Sequence, residues 1–343
     1  MTIRSCVACG ETPEYDQDWH GDPDGERCFT STFNEDGECV DCYWYNLYDA
    51  NLYQCHHCSR DFCWECWDDG EECEWCYIPN ARVQNYYYRP DRGFVPKGDS
   101  DRPMFGVELE VGVEDRYGSS NGVIDVVCAI DPRAEHLYMK EDGSIEGVEI
   151  VTHPMTLEWA REYRFDEMLR GLRNNGCWTD DHEQYEYGLH IHVGRDSFRR
   201  SKNRSSQMHG MAWLMFIHRN ADQLKKLSRR GAVSKYAKFD KPQRGELKNR
   251  AAGPTPDLDR RVAVNTNNRD TVELRFFHST LDEQEFWASL EFAEASLQYT
   301  AGISSSAALR GGALAVWDRF TDWCGERAEY ANLSAQIEAL TGS

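Results

Sequence analysis

Three short stretches of the chain alternate strictly between apolar and polar residues. In Phe105–Gly112, Val107, Leu109 and Val111 share one face, and Glu108 and Glu110 share the other. In Gly188–Gly194, Leu189, Ile191 and Val193 oppose His190 and His192. In Thr271–Phe277, Val272, Leu274 and Phe276 oppose Glu273 and Arg275. A period of two places each set on one face of a β-strand. A further strand is expected over Gly147–Thr152, carrying Glu149, after the turn Glu141–Ser144.

Between the strands the period lengthens. Leu157, Ala160, Tyr163, Met168, Leu169 and Leu172 approximate 3.6 and predict one helix from Thr156 to about Asn174, stopped by Asn175-Gly176. A second helix is expected over Ser205–Ser228. Val262–Asn267 and Thr271–Phe277 suggest a hairpin joined through Asn268–Asp270, and Thr280-x-x-Glu283 suggests a capping box opening a helix to about Tyr299. One or two more helices, near 307–323 and 325–340, close the chain. Strands separated by long helical insertions indicate an α+β fold around an antiparallel sheet with flanking helices.

The cysteines add a second unit. Of 14, ten form five Cys-x-x-Cys pairs before residue 77: Cys6 with Cys9, Cys39 with Cys42, Cys55 with Cys58, Cys63 with Cys66, and Cys73 with Cys76. Two thiolates so spaced reach one tetrahedral zinc, and two pairs complete a site. Four pairs give two all-thiolate sites, and the fifth could close a third with Cys28 and His20, making two or three structural zinc ions. The pairing is left open by the spacing. A secreted disulfide framework is the rival, disfavoured by the absence of a signal-peptide apolar region. Cys128, Cys177 and Cys324 are scattered and expected as buried free thiols. Residues 1–88 are therefore read as a cysteine-rich zinc-binding module, 89–103, with three prolines and two glycines, as a linker, and 104–343 as the catalytic domain.

Charge narrows the partners. The chain carries a formal charge of −21, and residues 1–100 hold 21 Asp and Glu against 7 Lys and Arg. So acidic a module is a poor grip for a phosphate backbone, so protein contact or a purely structural role is favoured over nucleic acid. Only Lys225–Arg250 reverses the sign, either as a solvated loop or as a local field for an anionic substrate or nucleotide phosphate. No apolar run approaches the ~20 residues of a membrane helix, so a cytoplasmic home is expected, that of the host if the gene is a phage's.

Carboxylates gathered on one face repel unless something positive lies between them. Glu108, Glu110, Glu149 and Glu273 with His190 and His192 form a donor set suited to magnesium or manganese held against phosphates. Arg275, two residues from Glu273 on the same face, suits a phosphoryl group through its planar fork.

These blocks also resemble a family. Gly106-Val-Glu108-Leu-Glu110, Glu141-Asp-Gly-Ser144 with Glu149-Ile-Val-Thr152 and Pro154, Gly188-Leu-His190-Ile-His192-Val and Val272-Glu273-Leu-Arg275-Phe-Phe are similar to motifs of the amidoligase family, in the same order, over residues 104–300. That family is grouped with glutamine synthetase and glutamate–cysteine ligase. The resemblance implies a glutamine synthetase-like sheet and ATP-dependent joining of a carboxylate to an amine through an acyl phosphate, with two or three Mg2+ or Mn2+ ions. It makes Glu108, Glu110 and Glu273 metal ligands and lets Glu149 bridge metals or face the amine. His190 and His192 divide metal and phosphate or substrate between them, with the division open. Arg275 steadies the transferred phosphoryl, and Arg261 and Asn265 are second-tier phosphate candidates. Asp142 either caps its turn or stands at the site rim. The carboxylate would belong to a peptide, protein or amino acid, with an amine donor opposite it, and the fused module fits a phage or bacterial accessory enzyme.

Two rivals use the same residues. A metal-dependent hydrolase or phosphoesterase would activate water with the His/Glu cluster, needing neither ATP nor Arg275. A scaffold that binds proteins through its zinc module would need none of the cluster.

Overall fold

The computed structural model describes residues 53–54, 61–62, 80, 83–90, 93–113, 122–180, 185–200, 205–230, 235–303 and 317–341. The expected zinc ligands Cys6, Cys9, His20, Cys28, Cys39, Cys42, Cys55, Cys58, Cys63, Cys66, Cys73 and Cys76 all lie outside these residues. Two compact units divide the chain, and residues 83–116, 121–131 and 135–343 make the larger. In the smaller, β1 (Tyr53–Gln54) and β2 (Asp61–Phe62) pair antiparallel.

The larger unit is built on six antiparallel strands: β3 (Phe105–Gly112), β4 (Leu137–Glu141), β5 (Gly147–Thr152), β6 (Gly188–Gly194), β7 (Val264–Asn265) and β8 (Thr271–His278), in the order β4-β5-β3-β6-β8-β7. The alternating segments become its central strands. Val107, Leu109, Val111, Val148, Ile150, Leu189, Ile191, Val193, Val272 and Leu274 are all buried in one core. Helices α4 (Ser206–Arg219) and α7 (Glu283–Gly302) pack against each other over this core. Their contact is keyed by hydrogen bonds from the Trp213 indole to Ser296 Oγ (2.8 Å) and between His209 Nε2 and the Leu297 carbonyl (3.1 Å).

Several elements differ from their expected bounds. The first predicted helix is two, α2 (Leu157–Glu162), capped by Thr156, and α3 (Phe165–Asn174). Its stop is as expected: Gly176 adopts φ +76°, a conformation glycine takes without strain. The Ser205–Ser228 helix breaks at Asn220 into α4 and α5 (Ala221–Leu227). Of the helix expected near 307–323, residues 304–316 lie outside the described residues and α8 covers Trp317–Gly325; the last helix, α9, spans Ala331–Thr341. The cap of α7 is Asp282, whose carboxylate accepts from Glu285 N at 3.0 Å, while Thr280 Oγ1 donates to the Glu285 side chain. Three elements carried no clear sequence signal: α1 (Gly122–Ile130), strand β4, and α6 (Arg244–Ala252) in the basic stretch.

Residues 93–103 of the expected linker 89–103 run along the larger unit. Lys97 N donates to Pro154 O (2.7 Å), Thr156 N to Lys97 O (3.0 Å) and Val95 N to His153 Nδ1 (2.9 Å). Cys177 and Cys324 are buried and Cys128 half-buried, all three free thiols.

Candidate metal and phosphate centre

Strand register builds the site on the face opposite the core. Lys140 pairs with Glu149, Glu149 with Glu110, Glu108 with His190, His192 with Glu273, and Glu273 with Asn265. A row of charged and polar side chains therefore crosses the sheet from edge to edge. Each strand contributes because its apolar alternate is held in the core, so the pleat turns the polar set outward.

A bulge sharpens one end. Leu189 faces Phe277 and Ile191 faces Leu274, so β8 carries an additional residue opposite His190. The shift puts both Phe276 and Phe277 into the core and ends the strict alternation expected there. Arg275 sits in the bulge. Its Nη1 ion-pairs with Glu273, its Nε faces the Tyr236 carbonyl at 3.5 Å, and its backbone carbonyl accepts from Arg230 Nη1 at 2.7 Å.

The imidazoles mesh with the carboxylates. His190 Nδ1 lies 3.2 Å from Glu108 Oε2 and 3.7 Å from Glu273 Oε1, and His190 Nε2 is 3.7 Å from Glu110 Oε1. His192 Nδ1 contacts Thr271 Oγ1 at 3.0 Å, which turns its Nε2 to Glu108 Oε1 at 3.2 Å. Both Nε2 atoms are buried beside carboxylates, that of His190 without a hydrogen-bond partner and that of His192 against Glu108 alone. A buried ring nitrogen left unbonded is costly. Here the two point into a set of anions, which a cation between them would satisfy, and a second-tier bond from Thr271 fixes the His192 ring as metal-ligating histidines require.

Three groups of side chains bring their ligand atoms within 4.8 Å of one another: Glu108, His192 and Glu273; Glu108, Glu149 and His190; Glu110, Asp142 and Glu149. Glu108 is shared by the first two and Glu149 by the last two. The donor set of carboxylate oxygens with single imidazoles fits magnesium or manganese.

Electrostatics follow from crowding. Burial alone would raise Glu108, but His192 and His190 outweigh it and hold its carboxyl well below the ordinary range. Burial raises Glu110 despite His190. Burial and Glu108 raise Glu149 well above the ordinary range, outweighing Lys140. Glu273 is pushed up by burial and brought below its usual value by His192 and Arg275. Burial disfavours the His192 imidazolium, yet Glu108 and Glu273 raise its pKa. The face is thus short of positive charge on its Glu149 side.

The other expected residues are placed around this row. Asp142 accepts from Ser144 N and Oγ at 2.6 Å and lies in one of the three groups with Glu110 and Glu149. Asn265 is buried and donates to Glu273 Oε2 at 2.7 Å, so it holds that carboxylate in place. Arg261 is exposed, with its guanidinium 6.0 Å from the Tyr236 ring centroid. Five participants were missed from sequence: Lys140, Thr271, Asn268, Arg230 and Gly188. Lys140 Nζ lies 2.8 Å from Glu149 Oε2, and Asn268 Nδ2 lies 3.4 Å from Glu273 Oε2. Gly188 leaves room for the cluster, since a Cβ there would stand 2.6 Å from His190 Nε2 and 2.9 Å from Arg230 Nη1.

No protein-family model matches the sequence, and no curated protein matches it. Among solved structures the fold overlaps a bifunctional glutathione synthetase from Pasteurella multocida at a TM-score of 0.38 and 13% identity, covering 71% of this chain and 47% of that one. It also overlaps the complex between prokaryotic ubiquitin-like protein Pup and its ligase PafA at a TM-score of 0.35 and 11% identity, covering 71% and 64%. The chain spans less than two thirds of either protein, and overlap at these scores assigns neither an activity nor a residue here.

Proposed function

We propose that this protein is an ATP-dependent carboxylate–amine ligase. The observation that carries the reading is the row of carboxylates and imidazoles with Arg275 rising from the β8 bulge at its end. Glu108 would hold magnesium or manganese with His192 and Glu273 on one side and with Glu149 and His190 on the other. Bound there, such ions would neutralise the phosphates of a nucleotide.

The chain's own residues do the rest. Arg275, anchored by Glu273, presents its guanidinium to the transferred phosphoryl group. Asn265 and Thr271 keep Glu273 and His192 in their rotamers. The substrate carboxylate oxygen bonds the γ-phosphorus and ADP leaves, giving an acyl phosphate. The incoming ammonium loses one proton to a carboxylate, for which Asp142 stands at the rim. The amine nitrogen then bonds the acyl carbon, and phosphate departs carrying the second proton. The product is an amide or isopeptide bond. The fused cysteine-rich module, with two or three structural zinc ions, would recruit a peptide or protein substrate.

The test is ADP release by the full chain with MgATP and a panel of amino-acid and peptide carboxylates, with and without an added amine. Amine-dependent ADP formation with incorporation of the amine supports a ligase. Hydrolysis of a substrate without ATP would establish the hydrolase reading in its place. Arg275→Ala should lower turnover by about 10²–10³, whereas a hydrolase would retain its rate.

A further inference from the structure

Lys140 stands at the crowded carboxylate end of the row, and none of the expected roles uses it. It lies on the outermost strand, β4, opposite Glu149 across the ladder. Its Nζ is 2.8 Å from Glu149 Oε2, and its side chain is 19% exposed against 3% for Glu149. Glu149 belongs to two of the three groups that could hold a divalent ion. An ammonium at that distance competes with a metal for that carboxylate.

Arg275 makes a comparable pair with Glu273, but the two cations differ physically. The Arg275 guanidinium is tied to Glu273 and faces the Tyr236 carbonyl, within a bulge fixed by backbone pairing. Lys140 carries a point charge on a flexible four-carbon stem. It can leave Glu149 without disturbing the sheet, and a phosphate is a suitable alternative partner.

We propose that Lys140 is the resident counter-ion of Glu149, which a divalent ion must displace before it can use that carboxylate. Uptake at the Glu149 side is then coupled to the arrival of a polyanion. A triphosphate gives the ammonium a new partner and frees Glu149 for a cation, so metal and nucleotide fill this end together. This rests on the ligase reading only in taking the face to be a cation site.

The experiment counts Mn2+ bound to the full-length protein by electron paramagnetic resonance, with and without a non-hydrolysable ATP analogue. Without nucleotide, Lys140→Met should bind one Mn2+ more than the wild type, or bind its weakest ion at least tenfold more tightly. Lys140→Arg should resemble the wild type. Adding Glu149→Gln to Lys140→Met should abolish the gain, and the analogue should raise the count in the wild type more than in Lys140→Met. Lys140→Gln provides the same reading if the methionine variant does not fold. Equal, non-zero counts and affinities in the wild type and the neutral variants would overturn the role of Lys140 while leaving the metal site standing. Absence of Mn2+ from every form, with and without the analogue, would remove the cation site and this inference with it.

Discussion

A methyl group at position 188 would meet His190 Nε2 and Arg230 Nη1 inside normal contact distance. Gly188→Ala should therefore cost about 1–3 kcal/mol, read from denaturant midpoints, and should displace His190 from the cation row. Asn265 illustrates the same dependence through a hydrogen bond. Its amide donates to Glu273 in a buried setting, so Asn265→Ala leaves that oxygen without the bond, at about 1–3 kcal/mol. It should weaken Mn2+ binding, and Asn265→Asp should weaken it at least as much by setting a second carboxylate against Glu273. Unchanged Mn2+ affinity in both variants would show that Glu273 is not a ligand. Glu108, Glu110, His190, His192 and Glu273 were legible in the sequence because each sits in a strand with clean period-two alternation. Lys140 and Arg230 were not. The first lies on a five-residue strand whose alternation is too brief to stand out, and the second within a run of basic residues without any period.

At the scale of elements, packing decided what propensity left open. Helix α1 reads Gly-Val-Ile-Asp-Val-Val, a β-branched run with poor intrinsic helicity. It forms because Val123, Val126 and Val127 are buried in the core, with Val126 lying against Gly171 of α3. The break at Asn220 was hidden because the apolar residues of α4 surround it on nearly all sides, leaving little helical period to interrupt. The β8 bulge was likewise invisible, since its consecutive phenylalanines could equally have been one inward and one outward residue. Helix α7 packs on β6 and α4, and its cap is a simple place to test the boundary. Asp282→Ala should lower stability by about 1 kcal/mol, whereas a cap at Thr280 would leave Asp282→Ala close to neutral in thermal melts.

For the whole molecule, the central sheet places charge in conflict with stability unless cations are present. Glu110 and Glu149 have pKa values above the ordinary range, so the folded protein binds more protons there than the unfolded chain does. The metal-free fold therefore loses stability as pH rises through those values. His192, raised by Glu108 and Glu273, acts in the same direction: its contribution is full below the unfolded imidazole pKa and is lost as pH rises through the folded one. Glu108 and Glu273 are depressed, and their contribution disappears only on acidification below the ordinary carboxylate range. Thermal melts of metal-free protein should thus fall between mildly acidic and alkaline pH, and saturating Mg2+ should flatten the decline. A midpoint that rises with pH over that range would contradict the assignment. Among the described residues no helix is long and apolar enough to cross a membrane. The cysteine-rich stretch has its own check: metal analysis of protein purified without chelator should find two or three zinc ions per chain, and complete reaction of its thiols with a thiol reagent would count against them.

The most direct measurement is anomalous diffraction from crystals soaked with Mn2+ and a non-hydrolysable ATP analogue. The account predicts manganese peaks touching Glu108, one shared with His192 and Glu273, and the terminal phosphate within reach of the Arg275 guanidinium. Manganese and nucleotide bound elsewhere, with Glu108, His190 and His192 touching neither, would contradict it.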